Sequence, residues 1–532
     1  MIHLTLLHNT YCYDPESCNF SVSSNQECSQ GDTIDKSSKP YDIVCELANQ
    51  QNDIGRKMCG LILKLTDFCN MSCRYCPHSQ KDNPHMKVHS NSVMPEKTIL
   101  QGIDFLNNHS AESDAVDIVF FGGEPLTEFH LMKKAVCYAE ETLKGKQITF
   151  NTTTNLLLLN DEMISFFATH RFSICISMDG PREIHDKNRL NRGGFGTFDT
   201  VYKNYLKLKK ALCGTNSTIR INAVFDEKYD LRSYEGFFSQ NEFSDVIVEM
   251  NPIDYSGSVS PPPDNPKYHW QTMYVRFLVY LCILGRFPSE NLPLTAHYLL
   301  NRLRSLYQRL QHPTPLPLSH TYIRLYDYMT CGFIAFLNPQ GSYYPGIHVN
   351  EMQEEFVIGN AETGIQFEKI NLLMNKSGRY MVPCKRCPLL TFCQVPIALA
   401  IDANGNAQRL NETYCRNFEQ LWKEVASLLL LKQGVLTNIP LLSQFTSLFC
   451  DSDNEAALNG IFEYVCHTHD LTNRPVLSEM EGIGPVELLS IVYLIEKNFN
   501  IKFEPNDFAD FQFGTFEGIK AAVKRYFGGG KQ

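Results

Sequence analysis

Two neighbouring stretches of sequence indicate the fold. The first is the apolar run Leu61-Ile62-Leu63-Lys64-Leu65, and the second, after three intervening residues, is Cys69-Asn70-Met71-Ser72-Cys73-Arg74-Tyr75-Cys76. The run predicts a buried β-strand. The thiols on the loop after it have the Cys-x3-Cys-x2-Cys spacing, and thiolates are the natural ligands of an iron–sulfur cluster. Three ligands leave one iron open to a substrate. The alternative is a zinc knuckle completed by His78 or His85.

Five more strand-like runs follow the first one, with helical patterns between them. Alternating strands and helices predict an α/β fold with a parallel sheet, here a partial (β/α)6 barrel. Functional residues of such sheets lie at the carboxyl ends of the strands. The further runs are 117–121, 147–150, 173–177, 218–224 and 245–249, and the clearest helical stretches are 97–108, 132–144 and 198–212.

Length, charge and cysteine content narrow the class of protein. A chain of 532 residues exceeds what one hydrophobic core usually organises. The net charge of −10 provides no basic field, so we expect no nucleic-acid partner. The N-terminus lacks a signal-peptide pattern and no run of eighteen apolar residues occurs, so we expect a cytoplasmic protein without a membrane partner. The 19 cysteines then indicate metal or thiol chemistry.

A second motif, Phe120-Phe121-Gly122-Gly123-Glu124-Pro125, ends the second strand. Glycines let the backbone approach a ligand closely, and the carboxylate of Glu124 can accept hydrogen bonds from an ammonium group. The alternative is an ordinary strand-to-helix turn with proline at the helix start.

A third motif, Ser177-Met178-Asp179-Gly180-Pro181, follows the fourth strand, and His185-Asp186-Lys187-Asn188-Arg189 comes next. The hydroxyl of Ser177 and the guanidinium of Arg189 suit ribose and carboxylate oxygens. A surface turn and an ordinary ion pair are the alternatives. Asn155, after the third strand, is a candidate for the same pocket or a structural residue that holds a turn.

Together these three motifs resemble the radical S-adenosylmethionine (SAM) superfamily, in its sulfatase-maturase and peptide-modifying branch. The resemblance implies a 4Fe–4S cluster whose open iron chelates the methionine moiety of SAM. It further implies that Glu124 and its glycines bind the methionyl amine. The implied cluster ligands are Cys69, Cys73 and Cys76, and the implied cofactor-binding residues are Tyr75, Gly122, Gly123, Glu124, Asn155, Ser177 and Arg189.

A second group of cysteines lies far downstream, at Cys384, Cys387, Cys393 and Cys415. Four thiolates at this spacing can hold zinc or an iron–sulfur cluster. The stretch resembles the SPASM extension of peptide-modifying radical enzymes, which normally carries two auxiliary clusters. The resemblance implies that these four cysteines bind the outer auxiliary 4Fe–4S cluster.

The same stretch departs from the SPASM pattern at the inner cluster. Gly346 and Ile397 stand where cysteines are expected, and of the inner ligands only Cys331 remains. We therefore expect one auxiliary cluster, with Cys331 an ordinary buried thiol. Sulfatase maturases carry a catalytic Asp beside the inner cluster, where this chain has Ile347. His348 is nearby, but a lone histidine in a loop is more often structural.

The C-terminal part reads as amphipathic helices and resembles a carrier-protein fold. The serine that would bear phosphopantetheine is replaced by Pro485, so a docking module or a purely stabilising helical cap is expected instead. The predicted domains are an N-terminal extension (1–57), the radical SAM core (58–255), a helical bridge (256–330), the SPASM-like domain (331–425) and the helical C-terminal domain (440–532).

The resemblance implies an enzyme that uses a 5′-deoxyadenosyl radical to abstract hydrogen from a ribosomally made precursor peptide. A cross-link or related modification would follow, with flavodoxin or ferredoxin as electron donor. The alternatives are formylglycine formation of the sulfatase-maturase type and a peptide-binding scaffold without catalysis.

Overall fold

The computed structural model of the chain describes residues 2–7, 9–22, 55–79, 87–253, 265–313, 334–347, 349–370, 372–373, 387–389, 391–393, 412–433, 454–466, 483–509 and 511–528. These form two compact units. One unit comprises residues 39–262 and 317–415, and the other comprises residues 1–38, 263–316 and 416–532.

The regular elements are numbered in chain order. The strands β1 to β13 are Ile2–Leu6, Asn9–Asp14, Asn19–Val22, Gly60–Thr66, Ala115–Gly122, Gln147–Thr154, Phe172–Ser177, Thr218–Phe225, Ile247–Pro252, Ile334–Leu337, Ser342–Tyr344, Gly359–Asn360 and Gly364–Ile365. The helices α1 to α13 are Glu96–His109, Phe129–Thr142, Asp161–Thr169, Arg182–Asn188, Phe198–Leu212, Leu231–Phe238, Pro266–Ile283, His297–Gln311, Glu412–Gln433, Asn454–Cys466, Pro485–Phe499, Pro505–Phe508 and Phe516–Gly528.

Strands β4 to β9 form a parallel sheet in the order of the chain. All six strands predicted from the sequence are confirmed, and helices connect them as a β/α sheet requires. Beyond β4 the sheet continues with β10, which pairs in parallel, and then with the antiparallel strands β11 to β13. This extension, contributed by residues from 334 onward, was not predicted.

Aromatic side chains on neighbouring strands form the core on one face of the sheet. The ring centroids of Phe120 and Phe150 lie 6.2 Å apart, and those of Phe150 and Phe172 lie 5.4 Å apart. Phe167 of α3 closes this layer at 4.8 Å from Phe172. Because the strands are parallel and in register, β4 to β7 end at the same edge, where their three motifs begin.

The N-terminal residues form an antiparallel sheet of order β1-β2-β3. The polar, turn-rich sequence of the N-terminal extension predicts irregular structure with little core, which is wrong for residues 2–22. Alternating side chains of β1, including Ile2 and Leu4, are buried, and Tyr13 of β2 lies 5.2 Å from Trp422 between ring centroids. The polar composition of the segment concealed this period-two pattern, and the contact with Trp422 comes from a helix about 400 residues away.

The same unit contains α7 and α8 within the predicted helical bridge, and α10 to α13 within the predicted helical C-terminal domain, so the helical character of both segments is confirmed. The hydroxyl of Tyr274 on α7 donates to the carbonyl of Phe508 at 2.8 Å, and Arg286 pairs with Glu496 at 2.9 Å between Nη1 and Oε2. Within the described ranges we find no helix that combines the length and the apolarity needed to cross a membrane.

Candidate functional site

The three cysteines of the first motif lie in the loop after β4, at Cys69, Cys73 and Cys76. A segment after α4 holds the backbone of this loop. The amide of Ser72 donates to the carbonyl of Leu190 at 2.8 Å, and the amide of Arg74 donates to that of Asn188 at 2.9 Å. The cysteine loop is therefore tied to the segment that carries Arg189.

The environment of the thiols differs along the loop. Burial raises the pKa of Cys69 to about 12 and that of Cys73 to about 11. Burial also raises the pKa of Cys76, but hydrogen bonds led by that of His89 outweigh it and hold the pKa below its ordinary value. Among the described side chains, no three His, Cys, Asp or Glu residues are gathered closely enough for one metal ion. A cubane cluster binds each thiolate at a different iron, so three loop thiols fit its requirements.

The two glycines of the second motif lie against the backbone of the cysteine loop. A Cβ on Gly122, which has φ +139°, would be 2.2 Å from the carbonyl oxygen of Thr66, and one on Gly123 would be 2.2 Å from that of Phe68. The next amide, that of Glu124, donates to the Phe68 carbonyl at 2.8 Å. The structure therefore places both glycines where β5 must touch the loop, which is a structural reason for this residue type.

Glu124 is buried at the same edge and links β5 to β6. Its Oε1 accepts hydrogen bonds from the Leu126 amide at 3.0 Å and the Thr154 hydroxyl at 2.7 Å, and its Oε2 accepts from the Asn155 amide at 2.7 Å. The side-chain amide of Asn155 donates to Asn70 at 2.7 Å and lies 3.9 Å from Cys69 Sγ. Burial raises the pKa of Glu124. Glu124, Asn155 and Cys69 thus form one contiguous group.

On the other side of the loop, Tyr75, Asp179 and Arg189 form a buried group. The Tyr75 hydroxyl donates to Asp179 Oδ2 at 2.7 Å and accepts from Arg189 Nη1 at 2.6 Å. Arg189 Nη1 lies 3.7 Å from Asp179 Oδ1, and both residues are buried. Because the charges of Asp179 and Arg189 compensate each other, the group can remain ionised away from water.

Two buried donors in this region have no hydrogen-bond partner in the described part of the chain, Asn188 Nδ2 and Arg189 Nε. Buried polar atoms are almost always paired, so such atoms point to an absent ligand with acceptor oxygens. Ser177 lies half-buried at the end of β7, in register with Asn222 of β8. The donor set therefore fits a polar cofactor beside the cysteine loop.

A buried histidine supports Arg189 from behind. His185 Nδ1 accepts from the Asp179 amide at 3.4 Å, so Nε2 carries the proton and donates to the Thr197 hydroxyl at 3.0 Å. That hydroxyl donates in turn to the carbonyl of Arg189 at 3.0 Å. Burial, with a contribution from the charge of Arg189, lowers the pKa of His185 to about 3.

We expect His185 to make the protein less stable in acid. Between about pH 6.5, where an unfolded histidine titrates, and about pH 3, the unfolded chain binds one more proton than the native chain at this residue. The free energy of unfolding therefore falls as the pH falls, by up to about 1.4 kcal/mol per pH unit. Denaturant titrations at pH 7 and pH 5 should show a smaller loss in His185→Gln than in the wild type. Equal losses in both chains would contradict this assignment.

Several residues of the site were not assigned a role from the sequence. Asp179 stands inside the third motif, so its spacing from Ser177 was the available signal. Arg192, whose Nε donates to the Cys69 carbonyl at 2.7 Å, and Asn70 had no signal beyond their proximity to the motifs. His89, whose Nε2 lies 3.7 Å from Cys76 Sγ, is brought there only by the fold.

The downstream cysteines are only partly described. Cys387 and Cys393 are half-buried and Cys415 is exposed. Cys384, Cys331 and His348 lie outside the described residues, as does His85 of the zinc alternative. The auxiliary cluster therefore stays a prediction.

Comparisons with known proteins agree with the three motifs around the cysteine loop. Residues 63–231 match the Radical SAM superfamily. A serine-type anaerobic sulfatase-maturating enzyme of Bacteroides thetaiotaomicron is 31% identical over 187 residues, covering 35% of this chain and 44% of that protein. The radical SAM cyclopropyl synthase TigE of Paramaledivibacter caminithermalis is 22% identical over 216 residues, covering 38% of this chain and 44% of that protein. The chain thus spans less than half the length of these two relatives.

Solved structures agree with the fold. Native anSMEcpe with bound AdoMet has a TM-score of 0.51 and 18% identity, covering 71% of this chain and 99% of that chain. The same protein with bound AdoMet and Cp18Cys peptide gives a TM-score of 0.50 at the same coverage and identity. The parallel sheet, the cysteine loop and the sequence match agree: residues 63–231 carry a Radical SAM domain, homologous to part of the anaerobic sulfatase-maturating enzymes.

Proposed function

We propose that this chain is a peptide maturase that cleaves SAM at the loop cluster and abstracts hydrogen from a ribosomally made precursor peptide. The observation that carries the proposal is the buried Tyr75–Asp179–Arg189 group with its unpartnered Arg189 Nε beside Cys73. A cross-link or related modification of the peptide would complete the reaction.

In this proposal Cys69, Cys73 and Cys76 hold a 4Fe–4S cluster. That cluster would supply the electron for the reductive cleavage of SAM. Arg189 lies 3.7 Å from Asp179 and interacts electrostatically with Cys73, so its Nε, which has no hydrogen-bond partner among the described residues, could donate to a carboxylate or ribose oxygen of the cofactor. Ser177, the last residue of β7 and two residues before Asp179, would contribute a hydroxyl to the same pocket.

Glu124 would bind the methionyl ammonium. A carboxylate has about four acceptor positions, and the three hydrogen bonds of Glu124 leave one position at Oε2. Asn155 would position this carboxylate, because its backbone amide bonds Oε2 and its side chain reaches Asn70 in the cysteine loop. Gly122 and Gly123 would act through the close approach of β5 to that loop.

The peptide class is supported by the relatives. A structure of anSMEcpe contains a bound peptide, and the curated relatives include sulfatase maturases and a cyclopropyl synthase. Ile347 replaces the expected catalytic Asp, and Gly346 and Ile397 replace cysteine ligands. These replacements favour a modification other than formylglycine formation. Flavodoxin or ferredoxin would deliver the electron, and the helical C-terminal part would dock a substrate or partner.

Formylglycine formation is the second candidate, and the matches to sulfatase-maturating enzymes favour it. A test should therefore offer both substrates. We expect a mass change in a precursor peptide encoded beside this gene after anaerobic co-expression, and none with the Cys73→Ala chain. Conversion of a sulfatase peptide to formylglycine would favour the second candidate. A chain that releases no 5′-deoxyadenosine with reductant and SAM would leave only the scaffold interpretation.

The auxiliary cluster makes a separate prediction about iron content. Two 4Fe–4S clusters should give about eight irons per chain after anaerobic reconstitution. Cys387→Ala, together with Cys393→Ala, should reduce this to about four because two of the four proposed ligands are lost. Iron and sulfide analysis measures both values, and about four irons in the wild type would mean that the auxiliary cluster does not exist.

A further inference from the structure

A cluster of four charged side chains lies directly before the cysteine loop. Lys64 Nζ is 2.7 Å from Asp67 Oδ1, and Lys87 Nζ is 2.7 Å from Asp67 Oδ2. Lys64 also pairs with Glu351, which comes from the segment after β11. The side chains are at most 13% exposed. Two positive and two negative charges compensate each other, so this Asp67 cluster is held firmly although it is buried.

The Asp67 cluster fixes the position of a histidine. The backbone carbonyl of Asp67 lies 2.8 Å from Nδ1 of His89. A carbonyl only accepts hydrogen bonds, so Nδ1 carries a hydrogen and donates it. The backbone amide of His89 donates to the carbonyl of His78 at 2.8 Å, and the two imidazole rings lie 5.6 Å apart. Both the main chain and the ring of His89 are therefore oriented.

The remaining ring nitrogen of His89 faces a cysteine of the loop. Nε2 lies 3.7 Å from Cys76 Sγ, within hydrogen-bond distance for sulfur. Neither Cys69 nor Cys73 has a histidine in a described hydrogen bond. A thiolate sulfur has no hydrogen to give, so a cluster-bound Cys76 would be the acceptor in this contact.

We propose that His89 is a positioning residue that hydrogen-bonds the Cys76 sulfur and thereby raises the reduction potential of the loop cluster. Hydrogen bonds to the sulfur ligands of an iron–sulfur cluster stabilise the added negative charge of the reduced state. The Asp67 cluster keeps the ring in place for this contact. The inference rests on the cluster of the proposed function, but not on the identity of the peptide.

Two substitutions separate the contacts of His89. The side-chain nitrogen of asparagine can occupy the place of Nδ1, so His89→Asn retains the donor to Asp67 and loses the one to Cys76. The side-chain nitrogen of glutamine can occupy the place of Nε2, so His89→Gln retains the donor to Cys76 and loses the other. Each variant is thus the matched control of the other.

The test is a redox titration of the full chain, anaerobically reconstituted and followed by electron paramagnetic resonance. The loop cluster is recognised by the signal that changes when SAM is added. We expect His89→Asn to shift the reduction equilibrium about tenfold toward the oxidised form, which equals about 59 mV for one electron. His89→Gln should stay within about twofold of the wild type.

Equal shifts in both variants, or no shift in either, would overturn the inference. If a variant loses iron, the pattern of loss still tests the inference. Loss from His89→Asn alone supports the contact with Cys76, whereas loss from both variants assigns His89 to packing only. A wild-type chain that takes up no SAM-responsive cluster would instead refute the proposed function.

Discussion

Replacing Cys73 with alanine should abolish the release of 5′-deoxyadenosine from SAM. The other two thiols of the loop, on Cys69 and Cys76, cannot hold a 4Fe–4S cluster that needs three protein ligands and one open iron. The side chain of Cys73 also interacts electrostatically with Arg189 and Asp179, so its loss changes the surroundings of the proposed cofactor-binding residue Arg189 as well. Chromatography of the products after incubation with dithionite and SAM measures the effect.

Cys137→Ala is the matched control for this prediction. Cys137 is an exposed cysteine on α2, outside the loop and all three motifs. The Cys137→Ala chain should retain the iron content and the 5′-deoxyadenosine yield of the wild type. If Cys73→Ala still released 5′-deoxyadenosine, the loop would not be the site of SAM cleavage.

Replacing Gly123 with alanine should destabilise the sheet edge and prevent formation of the cluster. The new Cβ would lie 2.2 Å from the carbonyl oxygen and 2.4 Å from the carbonyl carbon of Phe68. Backbone atoms cannot swing aside as a side chain can, so β5 and the cysteine loop must separate. We expect a loss of about 3 kcal/mol or more in the free energy of unfolding, at the upper end of overpacking effects. Denaturant unfolding and iron analysis measure the two consequences.

Gly236→Ala provides the comparison within the same unit. Gly236 lies in α6, and no atom outside its local helix backbone comes within 4 Å of an added Cβ. Alanine favours a helix over glycine by about 1 kcal/mol, so this variant should be at least as stable as the wild type. A Gly123→Ala chain that retained both stability and iron would show that β5 does not need to touch the loop.

His89 and Gly123 both contact the segment that leads into the cysteine loop, His89 at Asp67 and Gly123 at Thr66. Backbone amides of Gly123 and Glu124 donate to the carbonyls of Thr66 and Phe68, and the side chain of Asp67, which lies between them in the sequence, is held by the Asp67 cluster. The cysteine loop begins on a segment that is fixed in both ways. A loop anchored in this manner can present three thiols without large movements when iron binds.

Local patterns were sufficient for the central sheet. Each of its six parallel strands carried a run of β-branched or apolar residues, and the turn after three of them carried a motif of unusual residue types. Because parallel strands in sequential order end at one edge, the motifs could be expected to meet there. Cys69, Asn155 and Glu124 do lie together at that edge, and Arg189 bonds Tyr75 of the cysteine loop.

The tertiary structure decided what these residues touch. The glycines of the second motif were expected to face a ligand, whereas the structure places them against the backbone of Thr66 and Phe68. Asp179 became part of the site because it meets Tyr75, 104 residues away in the sequence. No local pattern encodes such a partner, since the contact depends on how two loops close over one another.

Strand periodicity and ligand spacing are local properties, so the amino-acid sequence was enough to predict six parallel strands and the loop that carries Cys69, Cys73 and Cys76. Only the tertiary structure decided that β10 extends the sheet beside β4 and that Glu351 reaches the Asp67 cluster. It also decided that His89 faces Cys76. These contacts join residues that share no repeat or motif, so they arise only when the packed chain brings them together.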